Sequence, residues 1–390
     1  MNLVFGIILS VAAGLVSGDR DTRGRIDTAL RTDDSATISN LVEEACRPDG
    51  GRKVTIGRNP NSADGSWTIS RPVVLPSNFT LELDGARLVL GTGTFCNMFR
   101  ADGVTNVTLV GRNGAVADGG VYNGLHEKNA GKEGRPPITV NNTLLFTRVK
   151  HFRIEGIRFV KQRWWALNFV ACSHGVIRKL DFLSDHTSID ENGRKLDTVS
   201  GDAYHQIVVK NSDGVDLRAG CHDILVEDIT GFTEDDTVAL TCLTGGFESQ
   251  FLGPDEPYEI SDVTVRNVRA AAMCSLVRLL AQGGGRVRRV LVDGVEDVSV
   301  DGRCMRGRGG LGVNIGDAHL YRAPQCRAED MDEIVVRHVR SRARYGVRIR
   351  GGAGRVNVSD VVGFDGCEHP FSDERTTESR HPVIYDIMRP

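Results

Sequence analysis

The chain has 390 residues, of which 40% are hydrophobic and 25% are charged, and its formal net charge at pH 7 is −3. A chain of this composition is not disordered, and its near-neutral charge argues against a globally basic nucleic-acid-binding protein. The length allows two or three average domains or one large all-β domain.

The chain begins with an apolar stretch, residues 3–16, that ends in small residues before a charged run. This pattern is typical of a secretory signal peptide, although no lysine or arginine precedes it; a buried strand or helix is the alternative. We therefore predict a signal peptide at residues 1–18, a secreted protein, and one domain over residues 19–390. No other segment is long and apolar enough to span a membrane.

Cysteines and glycosylation sequons are scattered along the chain. The nine cysteines have no metal-ligand spacing, and their odd number leaves at least one of them unpaired. Four sequons, which fit a secreted glycoprotein, begin at Asn78, Asn106, Asn141 and Asn357.

The one amphipathic helical pattern covers residues 34–45, with Ser35 or Thr37 as the expected N-terminal cap. Strand-like units that alternate apolar and polar residues follow, beginning at positions 106, 152, 176, 223, 262, 289, 333 and 355. A short helix before the first strands would cover the open end of a stack of strands.

The intervals between these units predict the fold. Equivalent apolar residues recur after 24 residues from Phe152 to Val176, after 27 from Val263 to Val290, and after 22 from Ile334 to Val356. Such intervals fit an all-β, right-handed parallel β-helix, in which coils stack and alternate residues fill one core. A β-sandwich is the alternative, but it predicts hairpin dipeptides, whereas the links here are long and irregular.

Two acidic segments hold the densest polar chemistry: NSDGVDL from residue 211 and EDDTVAL from residue 234. Asp213 and Asp235 are 22 residues apart, about one coil, so we expect Asp213 to lie beside Asp235. Asp236 reaches the same place only if the backbone bends at the pair, and Asp216 is a further candidate. Clustered carboxylates raise the pKa of one member, whereas a ladder of turn residues is the structural alternative.

These segments resemble the paired NTDG and DD signatures of the polygalacturonase-like glycoside hydrolases. Upstream, RTDDSATISNLVEEA, WTISRPVVLPSNFTLELDGARLVL and RPPITVNNTLLFTRVKHFRIEGIRF resemble the first coils of pectin-lyase-like chains, so the resemblance covers roughly residues 30–300.

The resemblance implies an inverting hydrolysis on a right-handed β-helix, with neither cofactor nor metal. Carried over by position, Asp235 would be the general acid, and Asp213 and Asp236 would activate the water. Inversion expects carboxyl groups about 6.5–9.5 Å apart.

The sequence departs from that family pattern in two places. No His-Gly pair follows about one coil after Asp235-Asp236, and the nearest Arg-x-Lys is Arg278 with Leu280 in place of lysine. Arg348 and Arg350 have suitable chemistry but lie further along the chain. These departures leave galacturonate open as the substrate.

Further side chains are candidates for substrate binding. His222 could replace the missing histidine, or serve a turn; Arg218 and Arg278 could bind an anionic sugar, or lie on the surface. Trp165 could stack on a sugar, although one tryptophan of a Trp-Trp pair is usually in the core. About 20 extra residues before Asp213 carry Asp185, His186, Asp202 and His205.

The arginine content is biased toward the later coils. Of 48 basic residues 8 are lysines, the last at Lys210, and residues 266–355 hold 18 arginines against 9 acidic residues. Arginine binds carboxylate or sulfate bidentately, which suits an anionic glycan, whereas codon bias with a solvated surface gives the same composition.

The sequence thus predicts a secreted, monomeric glycoside hydrolase whose partner is a polysaccharide, with no nucleic-acid or membrane partner. A polysaccharide lyase on the same fold, with an Arg or Lys base and Ca²⁺ held by aspartates, is the second hypothesis. A non-catalytic carbohydrate-binding β-helix is the third.

Overall fold

The computed structural model describes residues 33–91, 94, 96–120, 140, 142–162, 165–184, 213–244, 248–299, 310–316, 326–364, 366–375 and 384–385. These residues belong to one compact unit that starts at Asp33. The predicted signal peptide, Asn141, Cys304 and the segment with Asp185, His186, Asp202 and His205 lie outside them.

One α-helix and 25 strands make up the regular structure of the described residues, together with a 3-10 helix at Glu248–Gln250. The helix is α1 (Ser35–Ala45), and the strands up to the acidic segments are β1 (Lys53–Ile56), β2 (Ser66–Ile69), β3 (Val73–Val74), β4 (Phe79–Asp84), β5 (Arg87–Leu90), β6 (Phe99–Asp102), β7 (Thr105–Arg112), β8 (Val116–Asp118), β9 (Leu144–Thr147), β10 (Lys150–Glu155), β11 (Arg158–Val160), β12 (Leu167–Val170) and β13 (Ser173–Leu183). The later strands are β14 (Val215–Arg218), β15 (His222–Thr233), β16 (Val238–Leu243), β17 (Glu259–Ala272), β18 (Ser275–Gln282), β19 (Arg286–Asp297), β20 (Leu311–Ile315), β21 (Met331–Ser341), β22 (Tyr345–Gly351), β23 (Val356–Gly363), β24 (His369–Arg375) and β25 (Ile384–Tyr385).

The strands form two long parallel sheets that share one core. One sheet has 15 strands and follows the order β1-β4-β7-β10-β13-β15-β17-β19-β21-β23-β25, with β2, β5, β8 and β11 off this path. The other has 10 strands in the order β24-β22-β20-β18-β16-β14-β12-β9-β6-β3. Every pairing between described strands is parallel. The predicted parallel β-helix is confirmed.

The core consists of inward-facing side chains in register from coil to coil. Val263 pairs with Val290 and Val290 with Ile334, and all are at most 2% exposed. In the earlier coils Phe152 stacks on Phe169 with ring centroids 5.1 Å apart. Alternating inward residues on parallel coils therefore produce one continuous apolar column.

Residues in the left-handed conformation mark the same two corners in successive coils. One set occurs just before the long sheet strands turn inward, and its non-glycine members are Asn78, Asn106, His151, His174, Asp223, Asp262, Arg289 and Glu333. The other set bends these strands in the middle and includes Gly156, Lys179, Asp228, Asn267, Gly294, His338 and Asp360. Because the left-handed conformation reverses the local twist, each set turns the chain at the same point in each coil.

The helix α1 packs its buried side chains Ile38 and Val42 into the core beside the first strands. Its N-terminal cap residue is Asp34, not Ser35 or Thr37 as predicted. Ser35 instead accepts hydrogen bonds through Oγ from the backbone N–H groups of Ser70 and Arg71. The hydroxyl is thus used to attach the helix to the next loop.

Arginines of the later coils form ion pairs with acidic residues of the neighbouring coil. Arg266 lies in register with Glu227, and its Nε is 2.7 Å from Glu227 Oε2. Arg337 lies in register with Asp293, at 2.8 Å. Many arginines between residues 266 and 355 are therefore used in cross-strand pairs.

The eight described cysteines are all free thiols. The described sequon asparagines Asn78, Asn106 and Asn357 are exposed. No helix among the residues described has the length and apolarity required to cross a membrane.

Candidate active site

The acidic segments lie at one corner of the coil, where the chain enters the 10-stranded sheet. Asp213 precedes β14, and Asp235 and Asp236 precede β16. Val215 pairs with Val238, 23 residues later, so the residue in register with Asp213 is Asp236. The prediction that Asp213 lies beside Asp235 was one residue out, because the coil is one residue longer than the interval used.

The backbone bends at Asp235-Asp236 and brings both carboxylates to one place. Buried Thr233 fixes this bend, since its Oγ1 donates to the Asp235 carbonyl at 2.9 Å and lies 2.9 Å from Thr237 Oγ1. A carboxylate oxygen of Asp235, one of Asp236 and the Cys274 sulfur lie within 4.8 Å of one another. The bend that the sequence analysis required is therefore present.

All three aspartates are nearly inaccessible: Asp213 is 5%, Asp235 6% and Asp236 4% exposed. The Asp236 Oδ1 accepts a hydrogen bond from Ser275 N–H at 2.9 Å, and Arg278 Nη1 lies 3.8 Å from its Oδ2. Burial raises the pKa of Asp236 to about 6 against the opposing Arg278 guanidinium, and the Asp235 charge raises it further. Asp236 is thus a carboxyl that takes up a proton at mildly acidic pH.

The next coil places Cys274 and Ser275 in register with Asp235 and Asp236, because Val238 pairs with Val277, 39 residues later. The resemblance implied a His-Gly pair one coil after the aspartates, and this thiol and hydroxyl occupy that position. Burial, together with the charges of Asp236 and Asp235, raises the pKa of the Cys274 thiol well above its usual value, so it stays protonated. The sequence analysis missed Cys274 because the coil is much longer than its predecessors.

A second, fully buried group lies beyond Asp213 on the same sheet. The Arg218 guanidinium is 2.9 Å from Asp216 Oδ1 and 3.8 Å from Glu248 Oε1, and it lies 3.3 Å from the Trp165 ring centroid. Asp216 is 0%, Trp165 1% and Arg218 2% exposed. The three were predicted to bind substrate, but they pair with one another in the interior, because the Arg218 charge needs buried acidic partners.

His222 does not join the aspartates. It is the first residue of the 12-residue strand β15, whereas Asp235 follows its last residue. Its neighbours in register are Ser173 and Ser261, in the 15-stranded sheet. His222 is therefore at a different corner of the coil, and it cannot replace the missing histidine of the family pattern.

Arg278 is the predicted arginine that does lie beside the aspartates. In register with it follow Asn314 and then Arg348, two coils further along the sheet. The Arg348 guanidinium pairs with Glu374 at 2.7 Å and stacks on Tyr345 at 4.2 Å, and Arg350 lies 3.8 Å from Glu374. Arg278 and Arg348 thus share one column of the sheet, about 10 Å apart.

No family model matches the sequence, and no curated protein matches it either. Solved structures do match. The exopolygalacturonase of Thermotoga maritima has a TM-score of 0.54 and 15% identity, over 88% of this chain and 85% of that chain. A mutant tailspike protein of E. coli bacteriophage HK620, in complex with a pentasaccharide, has a TM-score of 0.59 and 14% identity, over 91% of this chain and 62% of that chain.

An endo-xylogalacturonan hydrolase from Aspergillus tubingensis matches with a TM-score of 0.44 and 12% identity, over 91% of this chain and 92% of that chain. The chain spans less than two thirds of the tailspike protein's length. At these identities the likeness concerns the fold. The chain therefore has the parallel β-helix fold of the pectin-lyase-like proteins.

Proposed function

We propose that the protein is a glycoside hydrolase that cleaves a polysaccharide or oligosaccharide at the corner occupied by Asp213, Asp235 and Asp236. The observation that carries the proposal is the convergence of the Asp235 and Asp236 carboxylates, within 4.8 Å, beside a coil that brings Asp213 into register with them. Glycoside hydrolysis needs one protonated and one ionised carboxyl group at the scissile bond. The exopolygalacturonase with the same fold supports this class of reaction.

The electrostatics of the site assign roles within this trio. Below about pH 6 the close Asp235–Asp236 pair holds one proton, because the pKa of Asp236 is raised to about 6. This proton would pass to the glycosidic oxygen as the bond to the anomeric carbon breaks. Asp213 would accept a proton from the water that attacks the same carbon. The resemblance names Asp235 as the donor of the pair, and Asp236, held by Ser275 N–H, as its proton partner.

Arg278 favours an acidic sugar. Its guanidinium lies 3.8 Å from Asp236, so a sugar carboxylate bound there would be adjacent to the cleaved bond. A guanidinium binds a carboxylate through two parallel hydrogen bonds. A pectin-like glycan is therefore the proposed substrate class.

Stereochemistry separates two mechanisms for this site. The resemblance implies inversion, for which acid and base are expected about 6.5–9.5 Å apart, whereas the Asp235 and Asp236 oxygens are within 4.8 Å. Inversion thus requires Asp213, and not a member of the pair, to hold the water. Proton NMR of the first-formed product should show the inverted anomer; the retained anomer would make one of the pair a nucleophile.

The direct test is a panel of acidic and neutral polysaccharides with wild-type protein, Asp235→Asn and Asp236→Asn. We expect reducing-end release from an acidic glycan, reduced by about 10² or more in either variant. Asp181→Asn, which removes an exposed carboxylate of the other sheet, is the matched control and should keep full activity.

Other outcomes support the alternatives. Unsaturated products that a chelator abolishes would show a lyase, and binding without any product would show a carbohydrate-binding protein. Secretion belongs to the same proposal: mature protein from the culture medium should begin near residue 19.

A further inference from the structure

A second cluster of chemically active side chains lies at a corner remote from the aspartates. One nitrogen of His174, one of His222 and a carboxylate oxygen of Asp223 lie within 4.8 Å of one another. The His222 Nδ1 is 2.7 Å and the His174 Nδ1 is 3.8 Å from the Asp223 Oδ2. The side chains are 47%, 45% and 50% exposed for His174, His222 and Asp223, so the cluster is open to solvent.

The backbone places these groups together. Gly175 pairs with Ile224, so His174 and Asp223 are in register on adjacent coils, and both are in the left-handed conformation, with φ of 55° and 54°. His222 directly precedes Asp223. On the preceding coil, His151 stacks on His174 with ring centroids 4.8 Å apart and planes inclined by 12°. The stack holds the His174 ring at a fixed position at the edge of the cluster.

The partners of Asp223 distinguish it from the other acidic residues at this corner. On the next coil, Asp262 is bound by both nitrogens of Arg289, at 2.7 and 2.8 Å. Asp332 is likewise paired with Arg355. Within the described structure, the charged partners of the Asp223 carboxylate are imidazoles, which are mostly neutral at pH 7 and offer a lone pair.

We propose that His174, His222 and Asp223 bind a divalent transition metal, with Zn²⁺ as the reference ion. Imidazole and carboxylate are ligands that Zn²⁺, Co²⁺ and Ni²⁺ share. Two ligand atoms, each about 2.1 Å from a tetrahedral ion, are about 3.4 Å apart, which small side-chain rotations reach from the observed distances. Water would complete the coordination on the exposed side.

The site links two coils. His174 belongs to β13, and His222 and Asp223 belong to β15, so the ion adds a bond across the pairing of these strands. An ion that binds the folded chain more strongly than the unfolded one stabilises the fold in proportion to its concentration. This inference does not depend on the proposed glycoside hydrolysis.

The test is calorimetric titration of the full chain with Zn²⁺, compared with His174→Ala and His222→Ala. We expect saturable binding that weakens at least tenfold in each variant, and a Zn²⁺-dependent rise in melting temperature that both variants lose. His338→Ala is the matched control, because His338 also contacts two carboxylates, Asp293 and Asp360, without a second imidazole. It should bind Zn²⁺ like the wild type.

Thiols are the competing ligands, since Cys274 lies beside Asp235 and Asp236. Titration with Co²⁺ separates the two, because thiolate ligation adds an intense near-ultraviolet absorption that imidazole and carboxylate do not. We expect no such band from the histidine site, and unchanged affinity in Cys274→Ser. Equal Zn²⁺ affinity in the wild type, His174→Ala and His222→Ala would overturn the proposal, as would loss of binding in Cys274→Ser.

Discussion

Asp236 is a buried carboxyl group whose ionisation the fold disfavours. Its pKa is about 6 in the folded chain, raised chiefly by burial, against an ordinary value of 3.8. The folded state therefore binds this proton more tightly than the unfolded state. This contribution to stability is largest at acidic pH, falls as the pH rises from about 4 to about 6, and stays low above that range.

We expect Asp236→Asn to lose activity and gain stability. An amide keeps an oxygen for Ser275 N–H but carries no charge, so above about pH 6 the variant should be more stable by roughly 2–3 kcal/mol. Urea unfolding at about pH 7.5 and about pH 4.5 measures this, and the gain should nearly vanish at the lower pH. Equal gains at both pH values would mean that the charge of Asp236 is not the cause.

The same group should be visible in the pH dependence of the proposed reaction. If the Asp235–Asp236 pair supplies the acid, it must be protonated, so kcat/KM should fall as the pH rises through about 6. Initial rates on the acidic glycan that responds best provide the profile. A rate that instead rises through about pH 6 would assign the pair to water activation.

Arg218 allows a sharp separation of substrate binding from structure. Its guanidinium is buried between Asp216 and Glu248, so Arg218→Ala should leave two carboxylates without their cation and destabilise the fold by about 3–5 kcal/mol. Denaturant unfolding measures the loss. A variant of normal stability with a raised KM would restore the predicted role in substrate binding.

The aspartates could be identified from the sequence because their spacing is close to one coil. The contacts around them could not. Cys274 is separated from Asp235 by a 39-residue interval that resembles no neighbouring repeat, and the burial of Arg218 depends on Glu248, which no motif marks. A repeat interval finds residues in register only where the coil keeps its usual length.

At the scale of the strand, register depends on the volume inside the coil as well as on the apolar pattern. Matching first apolar residues placed Val176 opposite Phe152, but the residue in register is Gly175, 23 residues after Phe152. A Cβ built on Gly175 would lie 2.1 Å from the Phe152 ring, so the ring of one coil fills the space of the next. The prediction was correct for Val263 and Val290, where two side chains of equal size pack together.

Gly175→Ala should therefore destabilise the β10–β13 contact. We expect a loss of about 1–3 kcal/mol, because the added methyl group overpacks the core against Phe152. Gly57→Ala is the control, since the nearest atom to its Cβ is 3.8 Å away. Combining Gly175→Ala with Phe152→Leu should recover part of the loss in denaturant unfolding; full additivity of the two changes would contradict the proposed contact.

At the scale of the molecule, the fold was predictable because every coil repeats one pattern, whereas the use of the arginines was not. The excess of arginine in residues 266–355 suggested a basic surface for an anionic glycan. In the structure, arginines such as Arg266 and Arg337 lie against the acidic residue in register on the next coil. Which side chains become neighbours depends on register, and composition does not contain that information.

We expect these pairs to limit binding of polyanions outside the candidate site. The protein should show at most weak retention on a heparin column at about 0.15 M salt, where screening already weakens exposed pairs. Arg278→Ala should not change the elution. Strong retention would mean that the later coils present an unneutralised basic surface.

The left-handed corners give the solenoid a tolerance that its core does not have. Asn78, His151, Asp223, Arg289 and Glu333 all occupy one such corner, so the path of the chain there is independent of which side chain is present. Substitutions along this edge change the chemistry of the surface without altering the coils beneath. A new binding property, such as affinity for a metal ion, can therefore be acquired at this edge one residue at a time, and an engineer can exploit the same freedom.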